Sequence, residues 1–397
     1  MSKRYFFLLI SLIGALVIFS STMSKSPILP LFAKSLMTSE SELQYIGYVL
    51  SASTIPGILI SIFAGRLSDI YGRERLIFIS VIIFATAPFL YILATNIWIL
   101  MLIRFYHGFS TAIFVPVATA AIAETYPERK GERISLFSSI TLVGRFLAPL
   151  TGGAILYITN YYYYGVYLAC GFSGVLALIF SVILLKSKQK HEQKIETKKE
   201  SISALQEFLQ GLKTVISNKA ILAASYVQAS QYFAYGIIEA YIVLYADQLN
   251  YPAWLIGIIP ASLVIILAIF KPMMGYYSDK VGRRPIIIGG LILGGLFALL
   301  LPYFASPFIL ILLICGFGFG MAMVTSSTAA FVADVTDKGK YGVAIGTLST
   351  IMDIGQALGP IVSGYLLVTY SYWGIFTMVG LVLLSATLIF GLSIKNN

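Results

Sequence analysis

The sequence reads GRLSDIYGRERL at residues 65–76 and GYYSDKVGRRPI at residues 275–286. Both stretches carry the pattern G-x-x-x-D-x-x-G-R at a constant offset of 210 residues. The matching residues are Gly65, Asp69, Gly72 and Arg73 in the first copy and Gly275, Asp279, Gly282 and Arg283 in the second. A second pattern, GRFLAPLTGG at 144–153, recurs as GQALGPIVSG at 355–364. Two patterns repeated at nearly one offset predict a duplicated structural unit.

The apolar runs around these motifs predict an integral membrane protein. Of the 397 residues, 58% are hydrophobic and only 11% are charged, and the mean hydropathy is +0.88. Because hydrocarbon offers no partner for bare peptide groups, long apolar runs must cross it as helices. We expect twelve transmembrane helices and an all-α fold. They are placed at 6–33, 44–64, 76–94, 98–122, 134–157, 162–185, 220–246, 254–274, 285–304, 308–332, 342–369 and 373–393.

One long polar stretch divides the twelve helices into six and six. It occupies residues 186–218 and begins KSKQKHEQKIETKKES. We therefore expect an N-terminal six-helix bundle at 1–185, a linker at 186–218 and a C-terminal six-helix bundle at 219–397. The two bundles should be pseudo-symmetric, because the repeated motifs fall at equivalent places in each. A short surface helix is expected in the linker, around Ile202–Leu212.

The positions of the 27 Lys and Arg residues predict the orientation of the chain. Five of them are Lys25, Lys34, Arg104, Arg145 and Lys271. If both termini are cytoplasmic, the other 22 lie on the inner side and only Lys34 lies outside. Since Lys and Arg are enriched in cytoplasmic loops, we expect a multi-pass protein of the cell membrane with both termini and the linker in the cytoplasm. This orientation explains the net charge of +10 without a nucleic-acid partner.

At these motifs the sequence resembles the major facilitator superfamily, and within it the twelve-helix drug:proton antiporters. The resemblance covers the whole chain. Helix 5 carries the antiporter pattern G-x-x-x-[GA]-P-x-x-G-G as Gly144, Ala148, Pro149, Gly152 and Gly153. Helix 4 carries R-x-x-Q-G-x-G-x-A, with His for Gln and Ser for Gly, as Arg104, His107, Gly108, Ser110 and Ala112. Helix 1 carries P-x-x-P at Pro27 and Pro30, although Ser20 and Ser21 stand where Leu-Gly is usual.

The resemblance implies two bundles around a central cavity lined by helices 1, 4, 7 and 10. It also implies that the two G-x-x-x-D-x-x-G-R loops form a cytoplasmic latch that stabilises the outward-open state. Gly65 and Gly275 would let helices approach closely. Asp69 and Asp279 would meet a helix N-terminus or the arginines of their own motif. The loops could instead serve only to keep positive charge inside, and the helix-5 motif could be both ordinary small-residue packing and a seal against proton leak.

Six charged residues lie deep within the predicted helices, where charge costs from about 2.5 to over 10 kcal/mol. They are Lys25, Arg104, Arg145, Glu239, Lys271 and Asp353. Lys271 lies near a helix end and is expected to extend to the cytoplasm. Lys25, Arg104 and Glu239 lie at similar depth and are expected to form one layer. Whether Arg145 and Asp353 pair with each other or face the cavity separately stays open.

Helical periodicity places further polar residues beside these charges. The predicted lining of the substrate cavity is Thr22, Lys25, Thr111, Arg145, Gln228, Gln231, Tyr232, Tyr235 and Gln356. Hydrogen bonding between helices is the alternative interpretation of the polar stripe on helix 7. The candidates for proton coupling are Arg104, His107, Glu239 and Asp353.

We therefore predict proton-driven efflux of small amphipathic or drug-like compounds by alternating access, as in multidrug resistance. The membrane charges lean positive, which favours neutral, zwitterionic or anionic substrates over lipophilic cations. The same fold could instead carry a metabolite, sugar, siderophore or organic anion, as an exporter or a symporter. A membrane enzyme or receptor is disfavoured, because the chain offers only two His and two Cys and lacks an H-E-x-x-H or nucleotide-binding pattern. The predicted partners are a small-molecule substrate and lipid; we expect a monomer with no cofactor or metal, driven by a proton gradient.

Overall fold

The computed structural model describes residues 2–188, 213, 215–336 and 341–393, and the regular elements over these residues are all helices. The predicted linker and its surface helix around Ile202–Leu212 lie almost entirely outside this part of the chain. In the first half the α-helices are α1 (Lys3–Lys25), α2 (Ile28–Ser35), α3 (Ile46–Ala52), α4 (Thr54–Tyr71), α5 (Arg73–Leu90), α6 (Ile97–Thr125), α7 (Lys130–Ile158) and α8 (Tyr163–Lys188). In the second half they are α9 (Lys219–Gln248), α10 (Ala253–Val281), α11 (Arg283–Leu300), α12 (Pro307–Val335) and α13 (Tyr341–Ser393).

These helices form the predicted set of twelve membrane crossings. Within the described residues, ten stretches are long and apolar enough to cross a bilayer by length and composition. The last of them, Gly346–Ser393, contains two crossings, because α13 is interrupted at Ser371 by a non-helical backbone (φ 55°, ψ −164°). α9 supplies the twelfth crossing, and its Gln228, Gln231 and Glu239 make it less apolar than the others.

Two of the crossings are broken, which the sequence analysis did not predict. The first is split between α1 and α2 at Ser26 and Pro27. Proline lacks a backbone N–H and disfavours a helical conformation in the residue before it, so the first helix ends there. The second crossing begins as a 3₁₀ turn at Glu40–Tyr45 and is then divided at Ser53 between α3 and α4.

The repeated motif builds the same tight helix-to-helix turn in both halves. Gly72 ends α4 with φ 95° and Gly282 ends α10 with φ 101°, a conformation that glycine adopts without steric cost. The backbone N–H of Gly72 bonds to the carbonyl of Ser68, and that of Gly282 bonds to the carbonyl of Ser278. The next helix starts directly after each glycine, so the motif arginine is its first residue. We call this end of the molecule the motif side and the opposite end the distal side.

The two halves touch closely on the distal side through glycines. A Cβ added to Gly153 of α7 would lie 2.7 Å from the carbonyl oxygen of Ala253 and 3.0 Å from Gly257 in α10. In a second contact between the halves, a Cβ on Gly47 of α3 would collide with the carbonyl of Pro360 in α13. Backbones this close leave no passage between the halves, so the molecule is closed on its distal side.

We predict that Gly153→Val opens the distal side. The added side chain must push α7 and α10 apart, and overpacking of this kind costs about 1–3 kcal/mol. The equilibrium constant between the distally closed and the distally open state then changes by roughly fivefold to a hundredfold. The reporter is the pair Tyr48→Cys and Tyr365→Cys, because the two tyrosine hydroxyls meet across the halves at 2.5 Å. Cross-linking of this pair by a short bismaleimide should slow in the Gly153 variant in proportion to the fraction of molecules that leave the closed state.

Gly131→Val on the same helix is the control, because a Cβ at Gly131 meets nothing within 4 Å. Its cross-linking rate should equal that of the parent protein. Equal rates in all three proteins would show that the glycine contact does not hold the distal side shut.

Candidate functional site

A cavity of about 1170 Å³ lies between the two halves. Four helices of each half line it, including α1, α6, α9 and α12, which are the predicted helices 1, 4, 7 and 10. At its deep end it reaches Lys25, Ser26 and Glu239, and towards the motif side it reaches Thr119, Ser135 and Ser326. Since the distal side is closed, the cavity extends from the middle of the bundle to the motif side.

An ion pair joins the two halves at the deep end of the cavity. Nζ of Lys25 in α1 lies 2.6 Å from Oε2 of Glu239 in α9. The side chains are 25% and 16% exposed, so both are shielded from bulk water while still bordering the cavity. This pair brings together two of the three residues that the sequence analysis placed in one layer.

Arg104, the third residue of that layer, has different partners. Its guanidinium donates to the hydroxyl of Tyr91 at 3.1 Å and to Oγ of Ser53 at 2.6 Å. The residue is 3% exposed, and in the described part of the chain it forms no ion pair with a carboxylate. Arg104 therefore borders the same cavity as the other two residues of the predicted layer, but Tyr91 and Ser53 hold it within its own half.

His107 belongs to the same buried polar cluster as Arg104. Its Nδ1 lies 3.1 Å from the hydroxyl of Tyr91, so Tyr91 contacts both side chains. The Nε2 atom of His107 and the Nε atom of Arg104 are buried, and neither has a hydrogen-bond partner in the described part of the chain. Both residues border the cavity.

Arg145 and Asp353 both lie in the cavity wall, and they do not form an ion pair. This answers the question that the sequence left open: the two charges face the cavity separately. Lys271 also lines the cavity. The sequence analysis expected Lys271 to extend to the cytoplasm and did not place it in the cavity lining.

Most of the other predicted lining residues border the cavity. Those that do are Thr22, Thr111, Tyr232, Tyr235 and Gln356. Gln228 and Gln231 do not, because they are 2% and 0% exposed and are not part of the cavity wall. That part of the prediction is wrong. The polar face of α9 extends beyond the part of the helix that borders the cavity, so the two glutamines are buried within the protein instead.

The motif arginines form matching charge clusters, one in each half. Arg73 pairs with Asp69 of its own motif, and its Nη2 lies 2.7 Å from Glu124 at the end of α6. Arg283 pairs with Asp279, and its Nε lies 3.1 Å from Asp334 near the end of α12. In this conformation, open to the motif side, the described ion pairs of the motif arginines stay within one half and do not bridge the two.

The glycine of the second motif copy is not closely packed here. A Cβ at Gly275 would meet only Ser326, at an ordinary 3.9 Å. The expected close approach of helices at this glycine is therefore absent in this state. The surroundings of Gly65 lie outside what the structure describes.

The motif of predicted helix 5, which is α7 in the structure, packs in two directions. A Cβ on Gly144 would lie 2.7 Å from the carbonyl oxygen of Ala15 in α1, and one on Gly152 would lie 2.6 Å from Ile28. Gly153 faces α10 of the other half, and the carbonyl of Pro149 meets Gly257 there. Ala148 and Pro149 are buried. The motif therefore packs its helix both within the first half and against the second.

Several partners of these residues were missed by sequence reasoning. Glu124 and Asp334 repeat at the same offset of 210 as the loop motifs, so a search at that offset would have found them. Ser53 and Tyr91, the partners of Arg104, carry no comparable signal. Ser53 follows the end of α3 and Tyr91 follows the end of α5. Their contact with Arg104 depends on the positions of these two helix ends in the folded protein.

Comparison with known proteins places the chain in one family. The sequence model described as Major Facilitator Superfamily matches residues 10–269 and 255–396, which together cover nearly the whole chain. An uncharacterized MFS-type transporter of Methanocaldococcus jannaschii is 28% identical over 350 residues, 86% of each protein. Quinolone resistance protein NorA of Staphylococcus aureus is 27% identical over 351 residues, 86% of this chain and 84% of NorA.

The fold is also that of solved transporters. The crystal structure of nucleoside transporter NupG matches with a TM-score of 0.79 over 99% of this chain and 100% of NupG. The sequence identity is 15%, so this likeness concerns the fold alone.

We predict that Lys25 and Glu239 are energetically coupled across the two halves. In a double-mutant cycle with Lys25→Met and Glu239→Gln, each single variant leaves one charge unpaired in a shielded place. The coupling energy, measured by unfolding in mixed detergent micelles, should be about 1–3 kcal/mol.

Lys34 and Asp247 provide the matched control, because they also form an ion pair across the two halves. This pair joins α2 to α9 at 2.7 Å, and its side chains are 42% and 25% exposed. A more exposed pair should couple by less than about 1 kcal/mol. Equal coupling energies in the two cycles would contradict the prediction that the shielded Lys25–Glu239 pair is more strongly coupled than the exposed pair.

Proposed function

The chain belongs to the major facilitator superfamily, and on that premise we propose that it is a proton-coupled exporter of small amphipathic compounds. It works by alternating access: the cavity opens first to one side of the membrane and then to the other. The motif side is the cytoplasmic side, in accordance with the positive-inside rule, and the protein resides in the cell membrane. The structure then represents the state that is open to the cytoplasm.

The observation that carries this proposal is the cavity with the Lys25–Glu239 pair at its deep end. The cavity is large enough for a drug-sized molecule and lies between two halves that touch closely on the distal side. Its wall combines apolar surface with a few ionisable groups. The pair links one residue from each half, so a change in its charge acts directly on the contact between the halves.

Proton coupling follows from the chemistry of that pair. Glu239 attracts Lys25 only when its carboxylate is ionised, which is the state after a proton has been released to the cytoplasm. When the halves separate on the distal side, Lys25 and Glu239 move apart. An unpaired carboxylate in a poorly hydrated cavity is costly, and taking a proton from outside removes that cost. Lys25 thus serves as the partner cation of Glu239.

Asp353 is the second proton-carrying candidate. It lines the cavity in the opposite half from Arg145 and has no ion pair with a described residue. A carboxylate without a partner can exchange protons with cavity water directly, whereas Glu239 must first break its ion pair with Lys25.

The name of the relative NorA, a quinolone resistance protein, supports efflux of drug-like compounds. The alternative is a metabolite, sugar, siderophore or organic anion carried by the same fold. The two alternatives are distinguished by the identity of the transported compound and by the direction of its transport relative to the proton flow.

The test is transport by the purified protein in proteoliposomes, across a panel of amphipathic compounds, with and without an imposed proton gradient. We expect movement of at least one drug-like compound against the direction of proton flow. In Glu239→Gln the rate should fall to that measured without a gradient, because the side chain can no longer exchange a proton. Asp353→Asn should weaken the effect of the gradient.

Asp247→Asn is the control, because it alters a carboxylate of the same helix α9 outside the cavity lining. It should keep most of the gradient-driven rate. Gradient-driven transport that survives in both Glu239→Gln and Asp353→Asn would refute the coupling scheme. Transport along the proton flow would favour a symporter.

A further inference from the structure

Three charged side chains in the cavity wall have no hydrogen-bond or ion-pair partner among the residues that the structure describes. Arg145 of α7 and Lys271 of α10 are exposed to the cavity, and Asp353 of α13 is half-buried there. None of the three forms a hydrogen bond or an ion pair with a described residue. Charge at this depth in a membrane protein is expensive unless a partner or water compensates it.

Arg145 and Lys271 come from different halves and face the same space. Lys271 lies ten residues from the motif-side end of α10 and Arg145 lies fifteen from that of α7. At about 1.5 Å per residue, their depths differ by about 7 Å, which two long side chains can span. Arg145 is close enough to act electrostatically on Lys271. Two cations near each other in a cavity repel, and a bound anion would offset that repulsion.

The other charged groups of the cavity wall already have protein partners. Lys25 is paired with Glu239, and Arg104 is held by Tyr91 and Ser53. The remaining charges are two cations, Arg145 and Lys271, against Asp353. The accessible part of the cavity therefore has an excess of positive charge.

Apolar surface adjoins the two cations. Leu142 lies one turn before Arg145 on α7, and Leu267 lies one turn before Lys271 on α10; both line the cavity. A ligand whose anionic group meets the cations can place an apolar body against these side chains. Such a ligand is amphipathic and acidic.

We propose that Arg145 and Lys271 together bind the carboxylate of an amphipathic organic acid. Asp353 disfavours a second negative charge and favours a ligand that also carries an ammonium group. The site deepens the proposed function by naming a substrate class, and it rests on the cavity being the transport path. It does not depend on proton coupling.

The test uses three probes with one aromatic body: pyrenebutyrate, its neutral amide pyrenebutanamide and the cation pyrenebutylamine. Binding is measured by fluorescence anisotropy, with the full chain in phosphatidylcholine nanodiscs and empty nanodiscs subtracted. The parent protein should bind the carboxylate about tenfold more tightly than the amide, the magnitude of a charge-assisted hydrogen bond. Arg145→Gln and Lys271→Gln should each remove most of that preference.

Lys280→Gln is the control, because Lys280 lies on the same helix outside the cavity lining, over the ring of Tyr276. It should retain the full preference. Lys271→Glu should reverse the order and favour pyrenebutylamine, a gain that misfolding cannot produce. Asp353→Asn should tighten binding of the carboxylate.

Equal affinity of the parent protein for the carboxylate and the amide would overturn the proposal. So would a preference that survives in the Arg145→Gln/Lys271→Gln double variant. These outcomes are separable from failure of the proposed function: gradient-driven export without a carboxylate preference removes only this site. Carboxylate binding that depends on Arg145 and Lys271, without gradient-driven export, removes only the coupling scheme.

Discussion

Hydrocarbon cannot solvate a charge, and this constraint organises the interior of the protein. Each ionisable side chain within the membrane helices must have a partner or face water, and each has found one of these solutions. Lys25 and Glu239 pair with each other across the two halves. Arg104 is enclosed by neutral hydroxyls, while Arg145 and Asp353 face the cavity. The cavity is thus the place where unpaired charge can exist.

The duplicated loop motif has a simple geometric basis. A glycine with positive φ ends one helix, and the arginine that follows begins the next. The turn returns that arginine to the aspartate one turn before the glycine, as seen for Arg73 with Asp69 and for Arg283 with Asp279. The spacing D-x-x-G-R is therefore what the ion pair requires. An acidic residue from a third helix completes each cluster and ties the turn to its own half.

The contacts between the halves include close glycine contacts, side-chain hydrogen bonds and ion pairs. Glycine contacts bring backbones together on the distal side, where van der Waals packing is the main attraction within a membrane. The Lys25–Glu239 pair adds an attraction that depends on ionisation. The glycine contacts make closure possible, and in the proposed mechanism the Lys25–Glu239 pair makes it sensitive to protons.

The sequence by itself determined the twelve crossings, the duplication and the identity of the charged residues of the cavity, because apolar length and motif spacing are local properties of the chain. It could not reveal that Lys25 meets Glu239, that Arg104 is held by Ser53 and Tyr91, or that Gln228 and Gln231 are buried away from the cavity. Those outcomes depend on helix rotation and on breaks such as that at Ser53, which are decided by packing between distant segments. Helical periodicity places a residue on a face, but only the neighbouring helices decide whether that face meets protein or open space.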